Sequence, residues 1–107
     1  MCGDAGSATP TVLVDNARTR VTEWHFAAKG DNTGWHRHEY DYLVVPMADG
    51  ALDITDAQGA TRAALTRGVP YWRQAGVEHD VANGTEGPFS FIEVEFLESP
   101  AQETGKE

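Results

Sequence analysis

Between residues 11 and 97 the chain alternates short apolar or β-branched runs with clusters of turn-forming residues. Runs at 11–14, 19–28, 35–46, 51–55, 60–66, 71–73, around His79 and at 89–97 are rich in Val, Ile, Thr and aromatic residues, the types that suit a pleated, half-buried surface. Between them stand Asp-Asn-Ala (15–17), Lys-Gly-Asp-Asn-Thr-Gly (29–34), Ala-Asp-Gly (48–50), Asp-Ala-Gln-Gly (56–59) and Asn-Gly-Thr-Glu-Gly-Pro (83–88), all turn chemistry. No stretch carries an apolar stripe at helical spacing. Many short strands at regular intervals predict an all-β sandwich or barrel, and hiding the sheet edges favours a closed double-sheet jelly roll. One domain is expected over residues 11–98, with loose polar tails at 1–10 and 99–107.

Strand parity assigns the remaining side chains to faces. In 19–28, Val21, Glu23 and His25 share one face while Trp24 and Phe26 share the other, which makes His25 a packed or partly exposed residue. In 89–97, Glu93 and Glu95 share a face with Phe89 and Phe91, opposite Ile92, Val94 and Phe96. Paired carboxylates can do acid–base work, but on a terminal strand the expectation is a solvated or interface-lining face. Leu43, Val44 and Val45 put apolar groups on both faces of one strand. One barrel core cannot bury both, so a homodimer is expected.

Composition narrows the partners. The 107 residues carry a formal net charge of -9, which repels phosphate backbones and anionic lipid surfaces, so neither nucleic acid nor membrane is an expected partner. No apolar run is long enough for a bilayer. The start lacks the basic and apolar regions of a signal peptide, and the single cysteine, Cys2, cannot form an internal disulfide; both point to a cytoplasmic protein.

The chemistry concentrates in the histidines. His36 and His38 are two apart, so on a strand they reach the same side, and His79 follows in a later strand. Three neutral imidazoles meeting at a point would bind a transition metal and leave coordination positions open. The plain alternative is two surface histidines beside a loop. Tyr40 and Tyr42 share the parity of His36 and His38 and offer a proton donor or substrate clamp, or simply amphipathic wall. Arg73 offers a bidentate clamp for a carboxylate, with a surface ion pair the more ordinary role.

In these same residues the chain resembles the cupins. Their first motif, G-x5-H-x-H-x3-4-E-x6-G, is matched by Gly30, His36, His38 and Gly50, and their second, G-x5-P-x-G-x2-H-x3-N, by Gly68, Gly76, His79 and Asn83. The segments around both motifs are also similar to small bacterial cupins grouped under beta-alanine degradation. The resemblance implies a double-stranded β-helix and one divalent transition metal ion per chain (Fe, Mn, Ni, Cu or Zn) held by His36, His38 and His79. It implies a metal-dependent enzyme of dioxygenase, isomerase or lyase type acting on a small polar or carboxylate-bearing molecule. The alternative is a non-catalytic ligand-binding or sensor module. There are two departures from the motifs. Gln74 stands in place of proline, and the usual glutamate ligand falls on Tyr42 or, at the longer spacing, Leu43. A bulge could bring Asp41 inward instead. Parity favours Tyr42 beside the ion as the candidate catalytic group, with a first shell of neutral histidines. Such a site keeps the ion's full charge and suits an anionic substrate.

Overall fold

The computed structural model describes residues 6–98, together with the backbone of 99 and 100. Met1 to Ala5, including Cys2, and residues 101–107 lie outside the described residues. Nine strands follow in order: β1 (Thr9–Asp15), β2 (Thr19–Phe26), β3 (His36–Arg37), β4 (Tyr40–Pro46), β5 (Gly50–Asp56), β6 (Gly59–Leu65), β7 (Tyr71–Arg73), β8 (Glu78–Asn83) and β9 (Phe89–Pro100). They form a five-stranded sheet ordered β1-β2-β9-β4-β7 and a four-stranded sheet ordered β3-β8-β5-β6. All the pairings are antiparallel. Among the described residues there is no helix, and so none long and apolar enough to cross a membrane. The expected all-β, two-sheet architecture is the one observed.

Boundaries differ from the sequence reading, one of them at the C-terminal tail expected from residue 99, since β9 runs on to Pro100. The loose N-terminal tail was expected to reach residue 10, but β1 starts at Thr9 and Ala8 is buried. The Ala8 N–H donates to the Asn32 carbonyl at 2.8 Å, so this segment is tied to the loop that leads into the first motif. Pro10 is accommodated because β1 is an edge strand, where a missing N–H costs little. In addition, the single strand expected over 35–46 is divided. β3 belongs to the four-stranded sheet and β4 to the five-stranded one, so the chain crosses between sheets at His38 and Glu39.

The core lies between the sheets. Phe26, Tyr42, Val44, Phe89 and Phe91 come from one sheet, and Leu52, Leu65 and Val81 from the other. Alternation on β4 is clean: Tyr42, Val44 and Pro46 are buried, while Asp41, Leu43 and Val45 are half-buried on the outer face. Asn83, the last residue of the second motif, is 1% exposed. Its side-chain amide donates to the Ala28 and Gly87 carbonyls (3.2 and 2.9 Å), and its oxygen accepts from the Thr85 N–H at 2.8 Å. One buried side chain thus joins two loops at the end of β8.

Candidate metal centre

The centre is assembled where β3 pairs with β8. Their register puts His36 directly opposite His79, so the two side chains leave the same face of the sheet. His38 stands just beyond β3. Its N–H donates to the Val77 carbonyl and its carbonyl accepts from the Gly76 N–H, both at 2.8 Å. Gly76 takes a φ of 102°, the left-handed region that a residue with a Cβ rarely adopts. The motif glycine therefore makes the turn that clasps His38 and starts the His79 strand.

The three rings meet edge to face, with centroids 4.7, 4.8 and 5.1 Å apart. The Nε2 atoms of His36 and His38 are 3.0 Å apart, and those of His38 and His79 3.2 Å. Nitrogens about 2.0–2.1 Å from a shared ion stand about 2.9 Å apart at right angles and about 3.4 Å apart at tetrahedral angles. The observed spacings fall between these limits. A void of about 10 Å³ touches all three rings, room for roughly one water-sized sphere. The donor set therefore fits a small transition-metal ion.

Neighbouring groups set the state of each ring. The Nδ1 of His36 is 2.8 Å from the Gly34 carbonyl. A carbonyl only accepts, so Nδ1 carries the proton and Nε2 is left with its lone pair toward the centre. The Gly34 N–H is in turn held by Asp80 at 3.1 Å. Burial, reinforced by His36 and His79, holds the His38 imidazolium down to a pKa of about 3. Burial, with His36 and Arg73 as further causes, lowers His79 to about 4. Both rings are neutral at neutral pH, the form that ligates metals.

The structure also settles where the flanking candidates lie. Tyr42 is 2% exposed and its ring stacks on His38; burial pushes its phenol pKa up, with Glu93 as a further cause. The β4–β9 register does shift between Tyr40 and Asp41, yet Asp41 does not enter the centre. Its carboxylate accepts from the Ala75 N–H at 2.8 Å and steadies the loop before β8. Tyr40 is half-buried. His25 is exposed, with Nδ1 2.7 Å from the Ser90 hydroxyl. Arg73 does not make the expected ion pair: among the described residues its guanidinium lies over the Tyr71 ring, 5.3 Å from the centroid.

Glu93 is the residue that the sequence reading misplaced. Its face, shared with Phe89 and Phe91, is the interior one, and Glu93 is 8% exposed. Its Oε2 is 3.9 Å from Nδ1 of His38, and the Trp24 indole donates to it. Desolvation, with Glu95 beside it, raises its pKa to about 8, so it is largely protonated at neutral pH and the contact with neutral His38 is not a charged pair. Glu95 is ion-paired with Arg20 at 2.8 Å. A groove of about 740 Å³, walled by Trp24, Trp35, Arg20 and Arg37, runs from the surface past Glu93 to His36 and His38.

The chain is 50% identical over 88 residues to the beta-alanine degradation protein BauB of Pseudomonas aeruginosa, covering 82% of this chain and 92% of that one. It superposes on the crystal structure of a cupin domain from Bordetella pertussis Tohama I with a TM-score of 0.81 and 48% identity, over 87% of this chain and 96% of that one. The polyketide cyclase RemF from Streptomyces resistomycificus has a TM-score of 0.70 at 17% identity, over 97% of this chain and 78% of that one, and shows likeness of fold alone. No family model matches the chain. With its two-sheet barrel, both histidine motifs, and close to half of its aligned residues shared with the Pseudomonas and Bordetella proteins, the chain belongs to the cupin family.

Proposed function

We propose that this protein is a metal-dependent cupin enzyme acting on a small carboxylate-bearing molecule, with His36, His38 and His79 holding one divalent transition metal ion per chain. The observation that carries the reading is the convergence of three imidazoles, with Nε2 spacings of 3.0 and 3.2 Å, around an ion-sized void. When bound, the ion would act as a Lewis acid with coordination positions left for substrate or water.

The chain's own residues do the rest. His36 presents Nε2 because Gly34 fixes its tautomer. The groove, lined by Trp24 and Trp35, admits a small molecule to His36 and His38. Tyr42, kept protonated by burial and stacked on His38, would donate a proton or hydrogen bond to a group bound next to that ring. Among the described residues no carboxylate groups with all three histidines, Glu93 and Glu95 standing at ligand spacing from His38 alone, so the three-histidine shell itself carries no negative charge and an anionic substrate is favoured. The name of the Pseudomonas relative, a beta-alanine degradation protein, agrees with a substrate of this size and class.

Elemental analysis of the protein purified without chelator or affinity tag tests the reading. One equivalent of Fe, Mn, Ni, Cu or Zn per chain supports it. A protein that carries no metal and takes up none on dialysis against these ions overturns it.

A further inference from the structure

Of the three rings, His36 has its Nδ1 held by the Gly34 carbonyl, whereas His38 has a carboxyl group behind it. Glu93 Oε2 is the polar atom 3.9 Å from His38 Nδ1, and both side chains are nearly closed to solvent. That distance is too long for a hydrogen bond, and a ring shift of about 1 Å would close it. Tyr42 restrains the same ring from its face, 3.8 Å between centroids. Position and topology agree. Glu93 pairs with Val44, two residues along β4 from Tyr42, so the interior carboxyl group reaches His38 from the strand next to the one that carries Tyr42.

We propose that Glu93 is the positioning residue of this centre: it holds His38 through Nδ1 so that Nε2 faces the ion. The inference rests on the metal-binding reading above. A carboxyl group kept away from water is costly unless it is partnered. An outer carboxyl group whose oxygen accepts from the far nitrogen of a ligating histidine fixes that ring's tautomer and orientation. Trp24, which donates to Glu93 and lies near-parallel to the His36 ring (14°, centroids 6.4 Å apart), links the carboxyl group to the second ligand as well.

The test uses the full chain, stripped with chelator and titrated with Co(II), whose visible spectrum reports ligand geometry. The parent, Glu93→Gln, Glu93→Leu and Glu93→Ala are compared, and the thermal unfolding of each is measured without metal. The expectation is a 10- to 100-fold loss of Co(II) affinity in the leucine and alanine variants, with an altered spectrum and no matching loss of metal-free stability. Glu93→Gln keeps an acceptor for Nδ1–H and should retain most of the parent's affinity and spectrum. Parent-like affinity and spectrum in Glu93→Leu or Glu93→Ala overturn the proposal. So does equal weakening in all three variants that tracks lowered metal-free stability, which marks a merely structural role. A parent that takes up no Co(II) instead overturns the metal reading itself.

Discussion

The ring of Tyr42 lies flat against that of His38, with centroids 3.8 Å apart and planes 16° from parallel. This stack occupies the place where the cupin motif would put a carboxylate ligand, and it separates two roles of Tyr42. The ring packs on His38, and in the proposed function the hydroxyl would supply a proton. Tyr42→Phe should therefore keep metal affinity within about two-fold while lowering turnover by roughly 100-fold if the phenol is the proton donor; binding and turnover of a panel of small carboxylic acids measure this. Tyr42→Ala removes the ring and should cost about 3–5 kcal/mol of stability by denaturant unfolding.

Asp41 serves as the control on the same strand. Its carboxylate holds the Ala75 N–H, and Asp41→Asn retains an acceptor, so metal content should be unchanged. Asp41→Ala should lose about 1–2 kcal/mol of stability with metal still bound. Loss of the metal in Asp41→Asn would show that the strand rearranges to make Asp41 a ligand.

Metal-free protein should be most stable near pH 6.5. The folded pKa values of His38 and His79 lie at about 3 and about 4, below the ordinary 6.5. Their contribution is complete above pH 6.5 and is lost as the pH falls toward those values, because the unfolded chain takes up protons first. Glu93 has the opposite sign. Its folded value of about 8 lies above the ordinary 4.5, so its contribution is complete below pH 4.5 and lost as the pH rises to 8. Two histidines outweigh one glutamate below pH 6.5, and Glu93 acts alone above it. A series of melting temperatures from pH 4 to 8 in the presence of chelator checks this. A monotonic rise to pH 8 would contradict it, and Glu93→Gln should remove the fall above pH 6.5.

Asn83 belongs to the motif but should not belong to the chemistry. Asn83→Ala strips partners from Ala28, Gly87 and Thr85 inside the fold, with an expected cost of roughly 2–4 kcal/mol. At a temperature where the variant is folded, its metal affinity should match the parent's.

We also propose that the outer face of the five-stranded sheet pairs with a second copy of the chain. Across that face Val21 meets Val94, Leu43 meets Val94 and Trp72, and Val45 meets Ile92, with Trp72 52% exposed. A continuous apolar row of this kind marks an interaction surface, and a two-fold pairing would cover it on both copies at once. Sedimentation equilibrium at tens of micromolar should show a dimer that Leu43→Lys dissociates; a monomeric parent would count against the pairing.

The histidines and the fold were legible because their signals are local. Two-residue spacing, turn glycines such as Gly76, and Asn83 are each fixed by backbone geometry within a few residues. What escaped depended on distant strands. The division of 35–46 into β3 and β4 follows from which sheet each half pairs with, and no residue at His38 or Glu39 announces it. Tyr42 still faces inward because β4 keeps its own alternation with Val44. For Glu93 the signal was present: it shares parity with Phe89 and Phe91, and two aromatic residues on one face of a strand mark the buried side more strongly than one acid marks the wet side. The register with β4 decided the matter.

The central claim is that three histidines hold one ion, and the most direct measurement is a Zn(II) or Co(II) titration of chelator-stripped parent and His79→Ala by calorimetry. The parent should bind one equivalent per chain, and His79→Ala, with its fold intact by circular dichroism, should lose at least 100-fold in affinity. Parent-like stoichiometry and affinity in His79→Ala would contradict the three-histidine centre.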